Sequence, residues 1–229
     1  MSLEFEKKYL VGNFDSTFDK LKNQFGDYKY CEKKGFWWCN NVNGFENMLE
    51  ISNTKILKKD IDYIKEIGEL IIPSQDFQFV RLRIVDNDNY YITFKNKLLV
   101  NNIEQNTEYE FIIEPDIFKR IIFYLHETAF IFYFNIKKTW EFKDNNTKIE
   151  LSKFNDLKNT YIEIETTGNI ETLLNKNMKE IIEKIKDYNL KEEPKNYVEL
   201  SRAENQEMLK RMKLSQYSRE GYKILQELL

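Results

Sequence analysis

The sequence predicts an α+β protein, an eight-stranded antiparallel β barrel with helices packed outside it. Three observations carry that expectation. Short strand-like segments recur along the chain with few helical patterns between them. The turn Asp86 to Asn89 (DNDN) joins two of these segments as a hairpin would. Within the strands the charges keep parity, so one face is ionic and the other apolar.

The elements follow in order. Leu3 to Leu10 alternates and opens the barrel. Phe14, Phe18, Leu21 and Phe25 recur at helical spacing, with Asp15 or Ser16 as the expected cap. Tyr28 to Cys39 is aromatic and strand-like. Residues 40–75 are the least legible, with a strand expected near Phe45 to Ile51 and a helical piece near Lys58 to Ile67. Three strands come next, at Phe77 to Val85, Tyr90 to Asn96 and Thr107 to Glu114. Pro115 opens a helix that Ile117, Ile121, Ile122 and Leu125 continue. Strands resume at Phe130 to Thr139, Lys148 to Lys153 and Thr160 to Thr166. From Asn169 onward Ile170, Leu173, Leu174, Met178, Ile181, Ile182 and Ile185 form one helical stripe, and Arg202 to Leu229 reads as one or two further helices. The expected organisation is a barrel over 1–168 and a helical extension over 169–229 packed on it.

Composition narrows the function classes. A chain of 229 residues buries roughly 70% of its unfolded surface without needing a disulfide or metal staple. Apolar residues make up 41% and charged residues 32%, which excludes a disordered chain. Lys plus Arg (35) against Asp plus Glu (38) leaves a net charge of −3, so bulk charge advertises neither a nucleic acid nor an acidic membrane. Cys31, Cys39 and the lone His126 do not make a metal quartet, and the cysteines read as free thiols in a reducing compartment. The N-terminus lacks a signal-peptide pattern, and the longest apolar stretch, Ile117 to Ile136, is broken by Lys119, Arg120, His126 and Glu127. The expectation is a soluble, cytoplasmic protein with no membrane partner.

The ionic faces carry the functional signal. Glu4, Glu6 and Lys8 share one face of the first strand; Arg81 with Arg83, Glu108 with Glu110, and Glu163 with Glu165 do the same on later strands. Lys95 aligns with Tyr91 and Thr93. Ordinary strands also turn polar residues outward. Here outer helices stand ready to cover the apolar faces, which would leave the charges pointing into the barrel. Buried charges cost several kcal/mol each, so such a lumen would be a wet, ligand-binding channel. Paired glutamates there would offer hard oxygen ligands for Mg²⁺ or Mn²⁺, and the Arg and Lys side chains would bind phosphate oxygens.

The segment EFEKK (Glu4 to Lys8) resembles the E-x-E-x-K signature that opens the CYTH domain, within the triphosphate tunnel metalloenzyme superfamily. The later order is also similar: R-x-R at Arg81 and Arg83, TFK ending in Lys95, E-x-E at Glu108 and Glu110, a strand carrying Lys137, and EIE at Glu163 to Glu165. NYVEL (Asn196 to Leu200) is similar to a late S-Y-x-x-L element. The resemblance covers about residues 1–166. It implies an eight-stranded tunnel that binds a triphosphate with Mg²⁺ or Mn²⁺. By that carry-over Glu4, Glu6 and Glu165 bind metal, with Glu110 and Glu163 as further acids. Lys8, Arg81, Arg83, Lys95 and Lys137 hold phosphates, and Lys8 and Glu6 take part in catalysis.

This chain departs from the pattern in places. Asn106 stands where an Arg is expected before the second E-x-E, Thr139 where an Arg commonly follows, and Ser152 where an Asp is frequent. The stretch KKGFWWCNNVNGF differs from the usual segment near the substrate's non-phosphate end; Trp37 and Trp38 within it read as packing residues, with stacking on a base as the alternative. The leading expectation is metal-dependent hydrolysis of an inorganic or organic triphosphate, with an RNA 5′-triphosphate end as the sole nucleic-acid candidate. The alternatives are a class IV adenylate cyclase-like enzyme and a polyphosphate- or nucleotide-binding module without turnover. The C-terminal helices are left to cap the tunnel, pair in a homodimer or bind a partner.

Overall fold

The computed structural model describes residues 2–39, 79–100, 103–119 and 133–204. Their order is β1 (Ser2–Val11), α1 (Phe14–Phe25), β2 (Tyr28–Cys39), β3 (Phe79–Val85), β4 (Asn89–Val100), β5 (Ile103–Ile112), a helical stretch at 115–119, and β6 (Tyr133–Asp144). Then come β7 (Thr147–Phe154), β8 (Thr160–Gly168), α2 (Glu171–Ile185), a 3-10 turn (Lys186–Tyr188), β9 (Lys191–Glu192) and α3 (Tyr197–Glu204).

The strands form one antiparallel sheet in the order β5-β4-β3-β2-β6-β7-β8-β1. The first half of β1 pairs back onto β5, with Glu4 opposite Asn106, and this closes eight strands into a barrel. Beyond Glu6 the strand leaves β5, and β9 takes the vacated edge with Tyr9 opposite Glu192. Closure and topology agree with the expectation from sequence.

Alternation decides which face is covered. Phe5, Ile149, Leu151, Ile162 and Ile164 are at most 1% exposed and pack outward against Leu174, Met178, Ile181 and Ile185 of α2. Each such side chain removed from water contributes about 1.5–3 kcal/mol. The helix approaches closely at Gly168, where a Cβ would stand 3.2 Å from Leu174 Cδ2. α1 covers the neighbouring wall: Phe14 meets Trp140 at 4.8 Å and Phe18 meets Phe142 at 6.1 Å between ring centroids. On the far wall Phe118, from the stretch at 115–119, packs against Phe36 and Tyr90.

Local signals explain the element ends. α1 is capped by Asn13, whose Oδ1 accepts from the Ser16 N–H at 2.9 Å, not by Asp15 or Ser16. The helix stops at Gly26, which adopts φ +81°. Asp86 and Asn87 take φ of 53° and 62° at the β3–β4 hairpin, the left-handed pair that a tight hairpin turn needs. Asp86 also clasps β2, because its Oδ1 accepts from the Glu32 N–H at 2.9 Å.

β4 runs on to Val100 and β5 begins at Ile103, both longer than the sequence pattern suggested. The expected elements near Phe45 to Ile51 and Lys58 to Ile67 lie outside the described residues, as does most of Arg202 to Leu229 and the side chains of Trp37 and Trp38. Among the described residues no helix is long and apolar enough to cross a membrane.

Candidate functional site

With the apolar faces turned outward, the alternate residues meet inside the barrel. Their contacts prove the direction, because they skip strands. Lys95 on β4 reaches Glu4 on β1 past β5, Arg81 on β3 reaches Glu108 on β5 past β4, and Lys33 on β2 reaches Glu150 on β7 past β6. Side chains on the convex surface of a barrel diverge and cannot do this.

One cluster centres on an ammonium. Lys95 Nζ lies 3.2 Å from Glu4 and 3.6 Å from each of Glu6, Glu104 and Glu108. Asn106 Nδ2 donates to Glu4 Oε1 at 3.0 Å, while its Oδ1 is buried without a partner. Beside them Arg81 donates to Glu108 at 2.8 Å and Arg83 to Glu110 at 2.5 Å; the Thr93 hydroxyl also donates to Glu110, at 2.7 Å. Burial pushes the Glu4 carboxyl up to about 8; Lys95 opposes this, and Glu165, Glu108 and Glu6 add to it. Burial also resists ionisation of Glu108, but Lys95 and Arg81 more than offset it and hold that carboxyl at about 2. Lys95 is itself held well above the usual lysine range, since its four carboxylates outweigh its burial.

The other cluster centres on a carboxylate. Glu150 accepts from Lys33 at 2.6 Å and from Lys137 at 2.5 Å, and Lys148 stands 3.3 Å away. Lys148 also pairs with Glu165 at 2.5 Å, and Lys137 with Glu163. Glu150 ionises well below the usual carboxylate range: burial opposes this, and Lys137, Lys33 and Lys148 overcome it. Burial lowers the Lys33 pKa, with Glu150 acting against it. Burial raises that of Glu163, partly countered by Lys137.

Lys8 meets the C-terminal segment. Its Nζ donates to the Lys195 carbonyl at 3.0 Å and sits 4.2 Å from the centre of the Tyr197 ring. Tyr197 packs on Phe154 at 4.1 Å between centroids, with its hydroxyl buried. Burial, then Glu163 and Glu6, hold the phenol well above its ordinary pKa.

The structure therefore brings Glu4, Glu6, Lys8, Arg81, Arg83, Lys95, Glu110, Lys137, Glu163 and Glu165 into one lumen. Within it, Glu110 stands with Arg83, and Glu163 stands with Lys137. Glu165 is near enough to Glu4 to raise its pKa. Among the described residues no three acidic side chains stand together at metal-ligand spacing. The donor set still fits a hard divalent cation: Glu4 and Glu6 offer carboxylate oxygens, Asn106 an unpartnered carbonyl, and the Lys95 ammonium stands in as their cation.

Sequence reasoning missed Lys33, Lys148, Glu150, Glu104 and Tyr197. Lys148 and Glu150 obey the same alternation as the motif residues, against Ile149 and Leu151, so the parity rule applied to 147–154 finds them. Lys33 had no such signal, because Glu32, Lys33 and Lys34 are consecutive charges. Thr139 and Ser152, expected as charged positions, lie in contact with their hydroxyl oxygens 3.4 Å apart.

A closed barrel whose interior is filled with paired acids and bases defines a β-tunnel protein with an ionic lumen. The chain belongs to the CYTH domain family, whose model matches residues 64–197. That match begins after β1, which joins the same lumen through β8, with Glu6 opposite Glu165 and Lys8 opposite Glu163. Among solved structures, a conserved hypothetical protein from Pyrococcus furiosus is similar at 20% identity and a TM-score of 0.59, over 86% of this chain and 99% of that one. A candidate adenylate cyclase from Vibrio parahaemolyticus is similar at 13% identity and a TM-score of 0.58, over 86% and 97%. HpAC1 from Hippeastrum, a candidate adenylyl cyclase described as having a dominant triphosphatase activity, is similar at 12% identity and a TM-score of 0.54, over 87% and 95%. At these identities the likeness shows the fold. No curated protein matches the chain.

Proposed function

We propose that the protein is a cytoplasmic phosphohydrolase that uses Mg²⁺ or Mn²⁺ to remove the terminal phosphoryl group from an inorganic or organic triphosphate held in the barrel. One observation supports this above the rest: part-buried cations from β2, β3, β6 and β7 share the lumen with carboxylates, and each is paired with at least one of them. A polyphosphate chain entering such a lumen competes with those carboxylates for Arg81, Arg83 and Lys137. The displaced acids need a new positive charge, so substrate and divalent cation bind as a pair. The triphosphatase activity described for HpAC1 supports the same reading.

Glu4 and Glu6 would hold the cation, with Glu165 joining them once it leaves its pairing with Lys148; Glu110 and Glu163 are further acids, now engaged by Arg83 and Lys137. A divalent cation bound there supplies Lewis-acid polarisation of the phosphoryl group. Arg81 and Arg83 bind non-bridging oxygens and stabilise the charge that spreads over them as the bridging P–O bond breaks. Lys8 is anchored through one N–H to the Lys195 carbonyl, and its remaining donors orient the attacking water or a terminal oxygen. Lys95 remains the counter-ion of the acids and binds phosphate once a cation takes its place among them.

A second reading, a binding module without turnover, is favoured by the uncharged Thr139–Ser152 contact. Incubation with tripolyphosphate, ATP, GTP or thiamine triphosphate, with Mg²⁺ or Mn²⁺, separates the readings. Phosphate release is expected, and Glu6→Gln lowers it roughly 100-fold or more. A cyclic nucleotide product would replace this reading with a cyclase, and binding without turnover would replace it with the module. Unchanged release in Glu6→Gln would sink the assigned chemistry.

A further inference from the structure

Glu150 was assigned no role by any motif, yet it is 3% exposed and meets three lysines from three directions. Lys33 comes from β2, Lys137 from β6 and Lys148 from its own strand, β7. Three long, flexible ammonium side chains repel one another and do not converge in a barrel interior without an anion between them. Oε1 of Glu150 faces Lys33 and Lys148, while Oε2 faces Lys137, so both oxygens are engaged.

We infer that Lys33, Lys137 and Lys148 form one phosphate subsite, and that Glu150 is the positioning residue that gathers them there. The inference rests on the triphosphate reading and adds to it two phosphate contacts, Lys33 and Lys148. Each ammonium has three N–H donors; one faces Glu150, and Lys137 and Lys148 turn a second to Glu163 and Glu165, which leaves at least one on each for a ligand. A phosphoryl group carries several terminal oxygens, enough to give each ammonium its own acceptor, and such charge-assisted bonds are the strong ones. Glu163 and Glu165 each hold one of the three lysines from β8, so the subsite stays tied to the acidic side of the lumen.

The experiment is isothermal titration of wild type, Glu150→Gln and Glu150→Asp with tripolyphosphate at several pH values. Glu150→Gln keeps the shape and removes the charge; its affinity is expected to fall roughly 10- to 100-fold. The loss deepens as pH rises. Lys33 then loses its main counter-charge while its burial and the like charges of Lys137, Lys148 and Arg83 remain, and it gives up its proton earlier. Glu150→Asp, which keeps the charge, restores the wild-type pH profile.

A second readout needs no substrate: acetylation of Lys33 at pH 8, followed by mass spectrometry, proceeds faster in Glu150→Gln. Wild type that binds tripolyphosphate while Glu150→Gln binds it equally well at every pH overturns the inference, as does unchanged Lys33 labelling. Wild type that binds no tripolyphosphate overturns the proposed function instead, and the labelling then decides the role of Glu150 alone. If Glu150→Gln does not fold, Lys148→Met takes its place, with a similar fall expected and unchanged affinity overturning the subsite.

Discussion

Around Lys95 four carboxylates surround one ammonium; around Glu150 three ammoniums surround one carboxylate. The two clusters face each other across one barrel, and each is left short of the opposite charge. On the first side burial pushes Glu4 up to about 8 and Lys95 does not make up the difference; on the second, burial pulls Lys33 down and Glu150 does not fully restore it. A net charge of −3 hides this, since the imbalance is spatial. Under the proposed function this asymmetry is used: a cation would bind on the acidic side and a polyphosphate on the basic side.

The largest expected effect comes from removing the centre of the acidic side. Lys95→Met leaves Glu4, Glu6, Glu104 and Glu108 without their shared counter-ion, and breaking a buried pair in this way costs about 3–5 kcal/mol. Urea denaturation measures the loss, and Mn²⁺ is expected to recover part of it in the variant. A loss below about 1 kcal/mol would mean that the four acids are organised by something else.

Next comes pH. The Glu4 carboxyl rises from the ordinary 4.5 to about 8 on folding, so between those values the folded chain holds a proton that the unfolded chain has released. This part of the stability is complete below pH 4.5 and is lost as pH rises towards 8. Glu108, held at about 2, works in the opposite sense, and its contribution is lost as pH falls from 4.5 towards 2. Glu4→Gln is expected to flatten the upper window alone, by up to about 1.4 kcal/mol per pH unit. Denaturation midpoints across pH 5–9 check it; equal slopes in wild type and variant would break the contrast between the two sides.

The same contrast explains what the sequence could reveal. The acidic side was legible except for Glu104, because Glu4, Glu6 and Glu108 sit in clean alternation on β1 and β5, where parity and the ordered motifs point the same way. The basic side was half hidden. Lys137 belonged to a motif, but Lys33 lies in a run of charges with no parity, and Glu150 sits where no motif looks. The barrel follows from the number of strands with few helices between them, and the inward turn of the charges from the helices that cover the apolar faces; Phe5, Ile162 and Ile164 under α2 bear out the second step. The cap of α1 was misplaced by two or three residues because Asn13, Asp15 and Ser16 are all competent caps, and only the geometry of the turn selects Asn13. Tyr197 lies in the NYVEL element, but its contact with Lys8 was beyond reach, since the two meet only after the chain has circled the barrel.

The smallest expected effect tests whether that C-terminal contact belongs to the basic side. Lys8 and Lys137 stand 4.2 and 5.7 Å from the centre of the Tyr197 ring, and the ring itself packs on Phe154. The attraction of the two ammoniums is to the ring face, and the phenol oxygen only adds a polar atom near Glu163. Tyr197→Phe keeps the ring, so stability shifts by less than about 1 kcal/mol and hydrogen exchange around Lys195 stays slow. Tyr197→Ala removes the ring, releases Lys8 from its aromatic neighbour, and speeds exchange at residues 193–197. Equal exchange in the two variants would assign the closure to the Lys8–Lys195 hydrogen bond alone, and the basic side would end at Lys137.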